Sequence, residues 1–115
     1  MTLRVAFRPE AENEIERAHR WYEDQEAGLG AQFLLALEAV LSKASDNPNS
    51  FACVARRTHR AVLQRFPYII FYVAECDHLV ITGVFHGHRG PERWAGRIQE
   101  RAARYGPATP IALAI

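Results

Sequence analysis

The order of two hydrophobic periodicities along the chain constrains its fold more than any other feature of the sequence. Apolar residues recur at helical spacing in two early stretches, about Pro9–Glu26 and Ala31–Ser45. Only the joint at residues 28–30, Gly-Leu-Gly, separates these two stretches. Because so short a joint allows little else, we expect the helices to form an antiparallel hairpin.

The stretches that follow the hairpin have the length and composition of β-strands. Together with the alternating start of the chain, the predicted strands are residues 3–7, 61–66, 68–74 and 79–85, with 51–55 as a weaker candidate. The run at 68–74 is nearly all apolar, as in a central strand that is buried on both faces. The order β-α-α-β-β-β predicts an α+β fold, with the hairpin packed on one face of a mostly antiparallel sheet.

A chain of 115 residues is expected to form one domain. We expect this domain to cover residues 1–105, with a short C-terminal helix at about 91–104, and residues 106–115 to form a loose or partner-ordered tail. The sequence has neither a run that could span a bilayer nor the pattern of a signal peptide. We therefore expect a cytoplasmic protein with no membrane contact.

Charge is unevenly distributed along the chain. Residues 1–50 carry five basic and nine acidic side chains, whereas residues 51–115 carry nine arginines and four acidic side chains. Arginine binds carboxylates and phosphates bidentately, so the second half fits an acidic partner or a nucleic acid. The alternative is a solvated sheet face whose arginines form ion pairs with the acidic helices.

Metal and cofactor chemistry has little support in the sequence. His86 and His88 would point the same way from an extended strand, but no Asp, Glu or Cys lies near them to complete a metal site. Cys53 and Cys76 are too far apart for a CxxC motif and are expected to be reduced thiols. We therefore expect no metal and no cofactor.

A cluster of basic residues along the predicted sheet is the strongest candidate for chemistry. The residues that could gather along one side of it are Arg57, Arg60, Arg65, His88 and Arg89. Guanidinium groups would stabilise the charge on a pentacoordinate phosphate, and a histidine would transfer protons, so RNA could be cut without a metal. Alternatively, Arg65 and Arg89 pair with helix carboxylates and His86 is a packed residue.

Four motifs follow one another over residues 3–97. They are Phe7-x-Pro9-x-Ala11-x-x-Glu14-Ile15-x-x-Ala18-x-x-Trp21-Tyr22, Gly28-Leu29-Gly30-x-x-Phe33, Arg65-Phe66-Pro67-Tyr68-x-Ile70-x-Tyr72 and His86-x-x-Arg89-x-Pro91-x-x-Trp94. In this order they resemble the first strand and helix, the inter-helix joint, the central strand and the C-terminal motif of the RelE/ParE superfamily. Its members are toxins of type II toxin–antitoxin systems, also known as plasmid stabilisation proteins.

The resemblance implies a helical hairpin on a twisted antiparallel sheet and a cognate antitoxin encoded in the same operon. Such an antitoxin wraps the toxin with a helix or an extended segment and neutralises it. Because many of these antitoxins carry a DNA-binding half, the toxin would reach promoter DNA only through its antitoxin.

The resemblance leaves the target open, because the superfamily divides by mechanism. ParE-like members inhibit DNA gyrase, whereas RelE-like members cleave mRNA in the ribosome with Lys and Arg on the sheet. The only lysine here, Lys43, precedes the sheet strands, which favours the ParE-like hypothesis. The binding residues proposed for that hypothesis are Arg57, Arg60, Arg65, Arg89, Trp94 and Arg97, with His86 as a contact or positioning residue.

Two other hypotheses remain at this stage. In a RelE-like endoribonuclease, Arg57 and Arg65 would hold phosphate, His86 or His88 would act as acid or base, and Arg89 would stabilise the transition state. In the third hypothesis, the chain is an inactive remnant that is retained for antitoxin binding.

Overall fold

A computed structural model of the protein describes residues 2–87. Its elements are β1 (Arg4–Phe7), α1 (Pro9–Gln25), α2 (Leu29–Asp46), a single 3-10 turn (Pro48–Ser50), β2 (Cys53–Ala55), β3 (Thr58–Val62), β4 (Tyr68–Glu75) and β5 (His78–His86). The predicted helix at 91–104 and the tail at 106–115 lie outside the described residues. In the described part of the chain, no helix is both long enough and apolar enough to cross a membrane.

The five strands form one sheet in the order β1-β5-β4-β3-β2. All neighbouring strands are antiparallel except β1, which runs parallel to β5. The predicted α+β architecture is therefore confirmed, including the helical hairpin and the mostly antiparallel sheet. The weaker strand candidate at 51–55 corresponds to the three-residue edge strand β2.

One strand boundary differs from the prediction. The stretch expected to be extended over residues 61–66 begins earlier, in β3, and leaves the sheet after Val62. Arg65 has a φ of 73°, a left-handed conformation that breaks a strand. Pro67, which has no N–H to donate to a ladder, follows it. The loop at residues 63–67 is therefore tightly turned, and β4 begins at Tyr68.

The main core lies between the helical hairpin and one face of the sheet. The helices contribute the buried residues Ala11, Ala18, Tyr22, Phe33, Leu37, Val40, Leu41 and Ala44. The sheet and the loop after β3 contribute Ala61, Leu63, Phe66, Ile70, Tyr72, Leu79, Ile81 and Val84. Burial of this apolar surface is the largest favourable contribution to the stability of such a fold.

Four aromatic rings join the helices to the loop between β3 and β4. The ring centroids of Tyr22 and Phe66 lie 4.8 Å apart, and those of Phe33 and Tyr68 lie 5.3 Å apart, both pairs in edge-on geometry. Edge-to-face pairs at these distances add attraction beyond the burial of area, about 0.5–1.5 kcal/mol each. The cluster fixes the position of residues 66–68 against both helices.

A bulge at Thr82 keeps the core pattern in phase along β5. Tyr72 pairs with Ile81 and Phe71 pairs with Gly83, so Thr82 is the extra residue of a β-bulge. The extra residue shifts the alternation by one, and Ile81 and Val84 both face the helices. The Thr82 hydroxyl, which is buried, donates a hydrogen bond of 3.2 Å to the carbonyl of Phe71.

Helix α1 also covers the edge of β5 where β1 ends. The last backbone bond on that side runs from the N–H of Arg8 to the carbonyl of Ile81, at 3.0 Å. Further along, the N–H of Val84 donates to Glu14 Oε1 at 2.9 Å. The Glu14 carboxylate thus replaces the strand that would otherwise pair with β5 there, and it ties α1 to the sheet.

The joint between the helices depends on two glycines and one carboxylate. Gly28 has a φ of 88°, and Glu23 accepts hydrogen bonds of 2.9 Å from the backbone N–H groups of both Gly28 and Gly30. A Cβ at Gly30 would lie 2.8 Å from the backbone oxygen of His19, closer than the packing allows. The close approach of α2 to α1 therefore requires glycine at residue 30.

The first prediction compares the two glycines. Gly30→Ala should lower the free energy of unfolding by about 2 kcal/mol or more, because the new methyl group meets the backbone of α1. Gly28→Ala meets no atom within 4 Å and should cost only its left-handed strain, about 1 kcal/mol. Urea unfolding of both variants measures the difference, and a larger loss for Gly28→Ala would contradict this account of the joint.

The second prediction concerns acid. Hydrogen bonds from the backbone of Gly28, and then of Gly30, hold the pKa of Glu23 below its ordinary value. A lowered pKa in the folded state means that the contribution of Glu23 to stability is present above the unfolded pKa and is lost as the pH falls through the folded one. Unfolding is measured between pH 6 and pH 3, at roughly unit steps around the usual glutamate pKa. The free energy of unfolding should fall less steeply with pH for Glu23→Gln than for the wild type. Parallel curves would contradict the role given to this carboxylate.

Candidate partner-binding site

Arg57, one of the candidate phosphate-binding residues, is held by the end of β4. It lies in the turn between β2 and β3, where its guanidinium donates a hydrogen bond of 2.9 Å to the carbonyl of Ala74. The same guanidinium forms an ion pair with Glu75, whose side chain is only 6% exposed. A buried carboxylate needs such a cation, so Arg57 has a structural role in the described part of the chain.

The other two arginines lie elsewhere. Arg60 is exposed and stands opposite Phe71 in the ladder, so it shares the face of the sheet that is turned away from the helices. Arg65 follows β3, where it donates a hydrogen bond of 2.9 Å to Gln32 on α2 and lies 5.5 Å from the centroid of the Phe66 ring. Arg57 and Arg65 are therefore at opposite ends of β3, and the described structure does not gather the three arginines.

His86 lies at the same end of the sheet as the Arg65 loop. It is the last residue of β5 and pairs with Tyr68, whose ring centroid is 5.2 Å from its own. The backbone N–H of Gly87 donates to the carbonyl of Pro67 at 2.6 Å, which fastens the end of β5 to the loop. The remaining candidate site residues, His88, Arg89, Trp94 and Arg97, lie outside the described residues.

Two further histidines are engaged in local contacts. The ring of His59 stacks on Tyr72 at 5.0 Å, and its Nδ1 lies 2.8 Å from the carbonyl oxygen of Phe51. His78 lies 2.8 Å from Asp77, whose pKa this contact holds below its ordinary value. Within residues 2–87, no three His, Cys, Asp or Glu side chains are grouped so that they could hold a metal ion.

A groove of about 480 Å³ runs between α2 and β3. Its lining residues are Gln32, Leu35, Ala36, Ala39, Val40, Lys43, Phe51, Val62, Gln64, Arg65 and Phe66. We call it the α2–β3 groove. Leu35 on α2 is 64% exposed, and Val62, which pairs with Ile69 at the end of β3, is 55% exposed.

Sequence reasoning missed this groove. Leu35 lies off the apolar stripe that packs α2 on the sheet, and Val62 was expected to be inside a longer strand. The adjacent pair Leu34-Leu35 could have indicated it. Neighbouring residues of a helix point in different directions, so a helix that buries a single stripe cannot bury both leucines in it. Trp21, the neighbour of the buried Tyr22 on α1, is also 48% exposed.

A second groove of about 430 Å³ lies between α1 and α2, and its charge is opposite. Phe7, Ile15, Leu34, Leu37 and Leu41 contribute apolar side chains to it. Glu12, Glu16 and Glu38 are acidic, although Glu16 is paired with Arg20, and His19 also lines the groove. We call it the α1–α2 groove. Helix α2 therefore separates a groove with two basic residues from a groove with three acidic ones.

Comparisons with known proteins agree with this architecture. A family model described as the ParE toxin of type II toxin–antitoxin systems, parDE, matches residues 5–91. Ten chains of solved structures match significantly. One of them, from the chromosomal ParDE toxin–antitoxin system of P. aeruginosa, has 9% sequence identity and a TM-score of 0.64, over 74% of this chain and 96% of that chain. At this identity the likeness shows a shared fold. No curated protein matches significantly.

The third prediction separates a structural arginine from an exposed one. Arg57→Ala should lower the free energy of unfolding by about 2 kcal/mol, because it leaves the Glu75 carboxylate buried without a cation, while partial exposure of Arg57 screens the pair. Arg60→Ala, the matched control, should change it by less than about 0.5 kcal/mol. Urea unfolding checks both variants, and equal effects would contradict the role assigned to Arg57.

Proposed function

The chain belongs to the ParE toxin family of type II toxin–antitoxin systems, and on that basis we propose that it inhibits DNA gyrase by binding to it. A cognate antitoxin neutralises the toxin in this proposal. Promoter DNA is reached only through the DNA-binding half of that antitoxin.

The observation that carries this proposal is the dispersal of the candidate phosphate-binding residues. Arg57 and His86 mark opposite ends of the ladder between β4 and β5, because Arg57 contacts Glu75 and His86 pairs with Tyr68. The two ends, Tyr68 and Glu75, are seven residue steps apart on an extended strand, a distance of roughly 23 Å. Two groups so far apart cannot act on one phosphodiester bond, which requires both within hydrogen-bonding reach.

The positions of Arg65 and of the single lysine also fit a protein that acts by binding. Arg65 is hydrogen-bonded to Gln32, and the single lysine lies on α2, away from the strands. We propose that Arg65 contributes to partner binding, together with Arg89, Trp94 and Arg97 of the C-terminal motif.

A metal-free, ribosome-dependent mRNA endoribonuclease is the second candidate. One observation favours it: the bond between Gly87 and Pro67 keeps His86 and the Arg65 loop at one end of the sheet. In this candidate Arg65, His86, His88 and Arg89 are the catalytic residues. It ranks second because the phosphate-holding role of Arg57 conflicts with the ion pair that Arg57 forms.

The fourth prediction is tested by expressing the chain in bacteria from a tightly repressed promoter without its antitoxin. We expect filamentous cells and induction of the DNA-damage response, because poisoned gyrase breaks DNA, while incorporation of labelled amino acids continues at first. Expression of the cognate antitoxin, which the family resemblance places in the same operon, from a second promoter should restore growth. A version with an early stop codon is the control for the burden of expression.

Two outcomes would contradict the proposal. Arrest of translation within minutes, with mRNA cut at ribosomes and no DNA-damage response, would indicate the endoribonuclease. Normal growth at a level of protein that is visible on a gel would indicate an inactive remnant.

A further inference from the structure

The sheet has a second apolar face, on the side turned away from the helical hairpin. Side chains alternate along a strand, and Ile70 and Tyr72 belong to the core under the helices. Phe71 and Val73 therefore point to the other side of β4. The buried apolar side chains on that side of the sheet are Ala6, Ile69, Phe71, Val73 and Val80. We call this side the outer face.

The burial of the outer face has no source among the described elements. Phe71, Val73 and Val80 each have 0% of their surface exposed. Within residues 2–87, both helices contribute their buried residues to the core on the opposite side of the sheet. A sheet face is buried only when another layer packs on it. The layer on the outer face therefore comes from outside residues 2–87.

The exposure of the side chains gives the outline of that layer. Arg60 and Val62 of β3 also point to the outer face, yet both are exposed. The covered part is therefore centred on β5 and its neighbours β1 and β4, which makes it roughly 10 Å wide. From Ile69 to Glu75, which is also buried, it is roughly 20 Å long. One α-helix with its side chains is about 10–12 Å across, so a single helix fits this outline.

The sequence after β5 contains a stretch with the pattern of such a helix. Proline, a favoured first residue of a helix, begins it at position 91, and apolar residues follow at helical spacing. The apolar side would consist of Pro91, Trp94, Ala95, Ile98 and Ala102, and the opposite side of Arg93, Arg97, Glu100 and Arg104, with Arg101 at the border. A helix over residues 91–104 is roughly 21 Å long, which matches the covered part of the outer face.

The chain leaves β5 at one end of the covered part. Phe85 packs against Phe71 on the outer face, with the ring centroids 5.9 Å apart. Gly87, two residues later, is bound to the loop before β4. The three residues between Gly87 and Pro91 allow a separation of at most about 14 Å. A helix that begins at Pro91 therefore starts near this end and can run back along the strands.

We propose that residues 91–104 form an amphipathic helix that packs on the outer face, with Trp94 and Ile98 against the apolar side chains of β4 and β5. The match to the ParE family ends at residue 91, so this helix is an addition to the matched part of the chain. Trp94 then supports partner binding by holding the helix in place, and Arg97 points away from the sheet, towards a partner. The inference does not depend on which target the toxin has.

The fifth prediction compares the two sides of this helix. Ile98→Asp and Ala102→Asp place a carboxylate against the outer face, whereas Ala103→Asp, the matched control, places it on the solvent side. At a fixed urea concentration, each of the first two should raise the equilibrium constant for unfolding roughly tenfold or more, because an unpaired charge becomes buried. Ala103→Asp should raise it less than about threefold, as expected of a surface substitution that lowers helix propensity. Equal effects of Ala102→Asp and Ala103→Asp would overturn the proposal.

A measurement on the unchanged chain tests the placement even if the variants do not fold. In the purified, isotope-labelled protein, nuclear Overhauser effects should join the Trp94 ring to the side chains of Phe71 and Phe85. Contacts of the outer face with residues 106–115 instead, or contacts seen only between differently labelled copies, would overturn the proposal and identify the tail or a second copy as the cover. None of these results bears on gyrase inhibition, which the growth assay tests separately.

Discussion

The packing of the helical hairpin on one face of the sheet is the interaction on which the rest of the structure depends. Tyr22 and Phe33 from the two helices meet Phe66 in the loop before β4 and Tyr68 at the start of β4 in one aromatic cluster. This contact fixes the loop before β4, and the bond between Pro67 and Gly87 then fixes the end of β5 beside it. One end of the sheet thus carries both Arg65 and His86. The other end is closed by the ion pair between Arg57 and Glu75.

Helix α2 has two roles because of this packing. Its buried stripe faces the sheet, so its flanks border β3 on one side and α1 on the other. The flank beside β3 is apolar with cations, and the flank beside α1 is apolar with carboxylates. The two flanks of one helix therefore differ in the sign of their charged lining residues.

The helices and the central strand were predictable because their signals are local. A stripe at helical spacing and a nearly all-apolar run of seven residues report burial without any tertiary information. The end of β3 was not predictable in the same way, because Arg65 adopts a left-handed conformation that arginine rarely has. The bond of Glu14 to Val84 joins residues that are 70 positions apart, and only the register of β1 against β5 leaves that N–H available.

The candidate site was harder to predict for a related reason. The number of arginines in each part of the chain describes its charge. It does not tell which guanidinium group is already bound by other residues of the folded protein. Arg57 is bound by residues of β4 that come next to it only through the antiparallel register of β3 with β4. The groove was missed because Leu35 and Val62 are read as ordinary apolar residues until their exposure is known.

The most direct test of the central claim is a supercoiling assay with purified gyrase, relaxed plasmid, ATP and increasing amounts of the purified chain. A toxin that acts by binding should stop supercoiling as its concentration approaches that of gyrase, and should accumulate cleaved DNA bound to the enzyme. Prior addition of the antitoxin should abolish both effects. Unimpaired supercoiling at a large molar excess of the folded chain, with cleavage of mRNA in a parallel translation reaction, would contradict the claim.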